Sequence, residues 1–383
     1  MSAHGRRDAS NWWRSMDRAA LVAMVALIVL GLVLAFAASP AATGGPMTEG
    51  DFRYAVKQIA FAAMAVMILA ATSVLSLRMI KVSATVIYIA AVIGSAIALF
   101  AGHEAFGARR SIDLGFLTLQ PSEFLKPGFA VLAAAVLADR EKLIIRKEFA
   151  ALIIAAPALL ILVKQPDVGQ TALLLALWGA LLFFNGVSYV WISALGGASA
   201  ALGGLAYLLF PHVHHRINQY FDPQQTPYQA GLALKAFAHG GLAGVGPGAG
   251  TVKYHLPEAH SDFIFAVAGE EFGIVLCGAI VILFCVLCVS LLLRSARMSD
   301  PFSKLAGAGL AIVVALQAFI NMGVAVSLLP TKGMTLPFIS YGGSSLFAVA
   351  LTMGFALAVT RQRSKIGEAD FDLFGFLREA RPA

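Results

Sequence analysis

The stretch His255–Arg294, HLPEAHSDFIFAVAGEEFGIVLCGAIVILFCVLCVSLLLR, decides the fold. Two histidines and two carboxylates crowd its first eight residues, and a long apolar run follows at once. An apolar segment of that length reads as a membrane span, because roughly 20 such residues cross the hydrocarbon layer. The question it raises is why titratable groups gather at the mouth of a span.

Similar runs recur along all 383 residues, which are 59% hydrophobic and 13% charged, with a mean hydropathy of +0.81. A soluble chain carries about a quarter charged residues. The pattern predicts an all-α polytopic membrane protein with ten transmembrane helices, near 19–39, 54–76, 80–101, 121–138, 148–164, 167–185, 188–210, 263–293, 303–328 and 336–360. The first run is too long for a signal peptide and lacks a convincing cleavage site, so it is expected to be retained. One membrane domain over 19–360 is then flanked by a segment 1–18 and a tail 361–383. Cys277, Cys285 and Cys288 all lie in the eighth span, where buried structural thiols are expected.

Charge fixes the orientation. Eighteen of the 28 Lys and Arg residues fall on one side of the ten-span arrangement, before span 1, after span 10 and in the even-numbered connections. By the positive-inside pattern both termini are cytoplasmic. The net charge of +7 forms no single patch, so it reports topology and not nucleic-acid binding.

The opposite side carries the unusual chemistry. The third connection holds GARRSIDLGFLTLQPSE (Gly107–Glu123), with an expected small hairpin around Gly115. The fifth holds KQPDVGQ (Lys164–Gln170), and the ninth LLPTKGMTLPFISYGGSS (Leu328–Ser345). The seventh, 211–262, is a long extracytoplasmic loop between helices 7 and 8, and Tyr228–His239 in it reads as a short amphipathic helix. GVGPGAG (Gly244–Gly250) superficially resembles a phosphate loop, but no strand precedes it and no GK[ST] follows, so a sharp turn is the better reading.

Each candidate residue has two readings. Asp262 is a helix cap or a general base whose pKa is tuned by partial burial, and the two are compatible. Glu258 and His260 orient it, bind a divalent ion or are simply solvated. His212, His214 and His215 lack a specific zinc spacing, and a loosely held Mg²⁺ or Mn²⁺ beside a diphosphate suits the site better. Asp167, with Gln165 and Lys164 around Pro166, is a turn plus cap or a functional acid at a span end. Arg109 and Arg110 are lipid anchors or a bidentate clamp for a diphosphate. Glu123 and Lys126 share a helix face, as an intrahelical pair or as the lining of a cavity. Lys332 is a surface lysine or an anion contact.

Taken together, GARRSIDLG, QPSE, QPDVGQT, GLAGVGPGAGTVKYHLPEAHSDFIFAVAGEEFG and LLPTKGMTLPFISYGGSS resemble the SEDS family (shape, elongation, division and sporulation) over nearly the whole chain. LPEAHSDFIFA and the triplet Thr331-Lys332-Gly333 are most similar to its cell-division branch. The resemblance implies a peptidoglycan glycosyltransferase that polymerises lipid II into β-1,4 glycan strands on the outer face of the inner membrane, at the division site. It implies Asp262 as the base and Arg109, Arg110, Lys126 or Lys332 as stabilisers of the leaving diphosphate. No organic cofactor is implied. The implied partners are lipid II, the undecaprenyl-diphosphate-linked glycan, a class B penicillin-binding protein and other division proteins, with no nucleic acid. Ser111 stands where the family commonly has Trp, and Ser261 where Thr is commoner. The rival readings are a flippase for lipid-linked precursors, an elongation-type polymerase and a non-catalytic scaffold for a transpeptidase.

Overall fold

Each of the ten apolar runs forms a helix in a computed structural model, which describes residues 16–43, 52–105, 108–115, 117–139, 145–209, 214, 218, 228–330 and 333–361. In chain order these are α1 (Arg18–Thr43), α2 (Arg53–Ser73), α3 (Leu77–Ala101), α4 (Ser122–Ala138), α5 (Lys147–Lys164), α6 (Val168–Phe184) and α7 (Tyr189–Leu209). The amphipathic helix of the seventh connection is α8 (Tyr228–Gly240), followed by α9 (Ile264–Ala296), α10 (Pro301–Ala325) and α11 (Gly343–Val359). The protein is mostly helical and has the character of a membrane protein. Among the described residues α1, α2, α3, α9 and α10 are long and apolar enough to cross a bilayer, and α6 and α11 are shorter apolar helices.

Local chemistry starts several helices where the sequence places short polar side chains. Ser76 Oγ accepts from Met79 N at 3.2 Å to open α3, and Asp300 Oδ2 accepts from Ser303 N at 2.9 Å with Pro301 in the first turn of α10. Such caps satisfy amides that the first helical turn leaves free. α4 and α11 are buried along almost their whole length, so they form the centre around which the other helices pack. Small residues make this possible: Gly128 lets α4 lie against Tyr88 of α3, and Gly354 lets α11 lie against Thr72 of α2.

The third connection forms a small antiparallel sheet, β1 (His103–Ala105), β2 (Ala108–Asp113) and β3 (Thr118–Leu119), in that order. Ile112 pairs with Leu119 and Asp113 with Thr118 across a turn where Gly115 has φ +82°. Asp113 Oδ1 accepts from Gly115 N at 2.8 Å, so the expected hairpin around Gly115 is present.

Three expectations need correction. The tenth helix begins at Gly343 and not at 336, because LPFISYG is apolar but irregular. Leu336, Phe338 and Ile339 are buried as a loop packed inside the bundle. Cys277 and Cys288 are buried, but Cys285 is exposed, on the outward face of α9 beside Ile282 and Val289. The eighth span is also not continuous. α9 breaks at Gly273, whose φ of 78° and ψ of 179° suit glycine alone.

The break is where the glycine-rich stretch docks. Ile274 N donates to Gly241 O at 3.0 Å, while Val245 N and Gly246 N donate to the Glu270 and Glu271 carbonyls, both at 3.0 Å. The amides of this stretch are therefore engaged with a helix break and do not cradle a phosphate. Gly273→Ala is expected to destabilise the protein by at least about 1–3 kcal/mol, the range for backbone strain, and a Cβ there would in addition meet the Leu242 carbonyl. A lower melting temperature in detergent checks it.

The carboxylates of Glu270 and Glu271 bind the same loop and are fully buried. Glu270 accepts from the amides of Thr251, Val252 and Lys253 at 2.7, 2.7 and 2.9 Å, and from His239 Nδ1 at 2.9 Å with that ring donating. Lys253, itself buried, pairs with Glu271 and donates to Ala37 O of α1 at 2.7 Å. The seventh connection is thus tied to α1 and α9, and it delivers Asp262 to a fixed place.

Candidate active site

Asp262 lies just before α9 and lines a cavity of ≈ 450 Å³ with residues from four parts of the chain. The sheet supplies Arg110, Ser111 and Thr118, α2 supplies Lys57 and Phe61, and the ninth connection supplies Gly333, Thr335 and Tyr341. Ser344 and Ser345 of α11 complete the wall.

The Asp262 side chain does not cap α9. The cap position is Phe263, and no side chain there bonds the first turn. Among the described residues the Asp262 carboxylate accepts no hydrogen bond, whereas its backbone carbonyl accepts from Asn321 Nδ2 at 2.8 Å. Gly333 faces it closely, since a Cβ there would lie 3.1 Å from Asp262 Oδ2. Burial pushes the carboxyl up to about 7, with the charges of Glu258 and Glu123 adding to the effect. A free carboxylate poised near neutrality beside an open cavity is equipped to accept a proton.

Glu258 and His260 support it in different ways. Glu258 sits at φ +57°, and its Oε2 accepts from Ser261 Oγ at 2.5 Å, which closes the turn before Asp262. His260 packs its ring 4.9 Å from Tyr54 and 5.5 Å from Tyr341, and burial lowers its pKa while Glu258 acts the other way. It packs between two aromatic rings at the edge of the cavity. The hydroxyl that Ser261 shares with the commoner Thr is the atom in use.

The structure separates the paired arginines. Arg110 lines the cavity, donates to Gln165 O at 3.1 Å and Pro166 O at 2.8 Å, and stands 3.9 Å from Asp167 Oδ2. Arg109 is exposed and donates to Phe100 O at 3.4 Å. Asp167 caps α6 by accepting from Gln170 N at 3.3 Å, and Gln165 Nε2 donates to Ser95 O at 2.9 Å. These two hold the connection on which Arg110 rests.

Glu123 and Lys126 form a buried pair at 2.7 Å and are absent from the cavity wall. Gln170 Nε2 donates to Glu123 at 2.5 Å, and Lys126 donates to Gln317 Oε1 at 2.7 Å. Lys332, His212 and His215 lie outside the described residues. His214 packs its ring 4.6 Å from Tyr207. Among the described residues no three His, Cys, Asp or Glu side chains converge as metal ligands.

Sequence reasoning passed over Lys57, Tyr54, Tyr341, Gln317 and Asn321. Each is a single polar residue in or beside an apolar run, and only an amide in mid-span (Gln317, Asn321) carries a signal, its cost in hydrocarbon.

Residues 18–365 match the FtsW, RodA and SpoVE family of cell cycle proteins. The chain is 41% identical over 372 residues to the probable peptidoglycan glycosyltransferase FtsW of Caulobacter vibrioides, covering 96% of this chain and 94% of that one. It is 35% identical to the same-named protein of Alkalilimnicola ehrlichii, covering 91% and 90%. Among solved structures, a chain from work on a peptidoglycan synthase complex that coordinates polymerization and crosslinking superposes with a TM-score of 0.75 at 26% identity, covering 90% and 98%. Thermus thermophilus RodA shares the fold at a TM-score of 0.69 and 24% identity, covering 92% and 99%.

Proposed function

We propose a reaction for this cavity on the premise that the chain belongs to the SEDS family, the FtsW, RodA and SpoVE cell cycle proteins. It is a peptidoglycan glycosyltransferase of the FtsW type. Its substrate is lipid II, and Asp262 is the general base. The carboxylate takes the proton of the acceptor sugar's 4-hydroxyl, and that oxygen attacks C1 of MurNAc on the growing strand. The anomeric centre inverts to a β-1,4 bond, and undecaprenyl diphosphate leaves with the bonding electrons.

The observation that carries this reading is the free Asp262 carboxylate on a polar cavity that also holds Arg110. Arg110, not Arg109, is the arginine suited to meet negative charge on the leaving diphosphate. Lys126 is committed to Glu123 and Gln317 and serves the fold beneath the cavity. Among the described residues no set of three metal-ligand side chains converges beside Asp262. A divalent cation, Mg²⁺ or Mn²⁺, belongs in this scheme with the substrate's diphosphate.

The ten helices cross the inner membrane with both termini cytoplasmic, and the part of the seventh connection from Tyr228 to Asp262 lies on the outer face. The match to a synthase complex that coordinates polymerization and crosslinking supports a crosslinking partner, which we take to be a class B penicillin-binding transpeptidase, and the likeness to FtsW relatives supports a place at the division site. Purified protein given lipid II, with and without that partner, is expected to produce long glycan strands. Translocation of lipid II across proteoliposomes with no strand formation defeats the assignment.

A further inference from the structure

We infer that Gln317 and Asn321 are positioning residues. They are two side-chain amides one turn apart on α10 that hold the Asp262 segment against the Met334–Thr335 segment and so fix where the carboxylate stands. The inference rests on the reading of Asp262 as the base.

Asn321 Nδ2 donates to two carbonyl oxygens at once, Asp262 O at 2.8 Å and Met334 O at 2.6 Å. Because both partners only accept, the amide nitrogen must face them, and no other side chain of similar size serves both. Gln317 Nε2 donates to Thr335 O at 3.1 Å and Thr335 Oγ1 at 3.3 Å, while its Oε1 accepts from Lys126 Nζ at 2.7 Å. Both amides are buried to 1% exposure. A spacing of four puts them on one helix face.

The result is a continuous ladder from the buried Glu123–Lys126 pair, through α10, to the two loops that meet at Asp262 and Gly333. A carboxylate with no hydrogen bond of its own takes its position from its backbone, and here a helix holds that backbone. Catalytic groups need a rigid supporting shell, and a shift of about 1 Å can lower a rate by about 10²-fold. The amides touch no substrate. Their effect passes through Asp262.

The test uses the full-length chain in lipid nanodiscs with purified lipid II. Asn321→Ala is expected to lower kcat by roughly 10²-fold while KM moves less than about twofold. The acid limb of its pH profile is expected to move as well, since the carboxylate shifts against Glu258 and His260 on its own segment, Glu123 of α4, and Arg110, Lys57 and Tyr341 around the cavity. A merely structural role lowers the melting temperature and leaves kcat per folded molecule and the pH midpoint unchanged, and that result overturns the inference. If Asn321→Ala does not fold, Gln317→Met takes its place, with the same split expected at roughly tenfold and an unchanged kcat overturning it. Asp262→Asn runs in parallel. Full synthesis by that variant removes the parent reading and this one with it, whereas an inactive Asp262→Asn beside an unaltered amide variant removes this one alone.

Discussion

Asp262→Asn is expected to abolish measurable glycan polymerisation, with a rate at least about 10²–10⁴-fold below the parent, the range a general base contributes. Asn keeps the shape of the side chain and removes the proton acceptor. The loop should survive, because Asn321 grips the backbone carbonyl of residue 262 and not its side chain. The parent enzyme should show kcat/KM rising with pH through about 7 and then levelling, since only the ionised carboxylate accepts a proton. The same shift sets a stability trend of opposite sense. Burial makes the folded state hold the Asp262 proton more tightly than the unfolded chain does, so between about pH 4 and 7 this group's contribution falls as pH rises. The Asn variant lacks that decline and is expected to melt no lower than the parent at neutral pH. Strand length on gels, the pH profile and a melting curve in detergent check the three points, and a variant that unfolds instead makes Asp262 structural.

Lys253→Met is expected to produce the largest loss of stability, about 3–5 kcal/mol, as for any buried ion pair deprived of one partner. Lys253 and Glu271 have no exposed side-chain surface. Without the ammonium, Glu271 keeps, among the described residues, the Gly248 amide at 3.0 Å, and the Ala37 carbonyl loses the lysine's hydrogen bond. The cost should appear as poor accumulation in membranes and an early melting transition. Adding Glu271→Gln removes the stranded charge and should recover a large part of the loss. Equal stability in the single and double variants contradicts the pairing.

Much of the scaffold was legible because membrane helices declare themselves by length and apolarity, and their ends fell close to the expected positions. The exceptions share a cause. Leu336–Ile339 is as apolar as a helix because it is buried, and hydropathy alone does not separate a packed loop from a span. Gly273 broke α9 for a reason that lay well before it in sequence, in the Gly241–Gly246 loop that completes its hydrogen bonds. At the site, Asp262 was visible through its motif and its place before a span. The choice between Arg109 and Arg110 needed coordinates, since successive residues on β2 face opposite ways. Glu123 and Lys126 were read as neighbours on one helix, but Gln317, the further partner of Lys126, is 191 positions away and invisible to local spacing. Lone amides such as Asn321 look like noise in a span until their two carbonyl partners are seen.

The break at Gly273 also settles a matter of thickness. A straight helix over the 33 residues of α9 would measure about 50 Å, far beyond the ~30 Å hydrocarbon layer. A span that long must tilt steeply or deform the lipid around it. The half before the break, Ile264–Phe272, is almost wholly enclosed by protein, and the half after it, Ile274–Ala296, carries the exposed Ile274, Val275, Ile282 and Val289. That second half alone is about 35 Å long, which a modest tilt accommodates. One glycine thus relieves the mismatch and leaves the first half free to support the loop that carries Asp262.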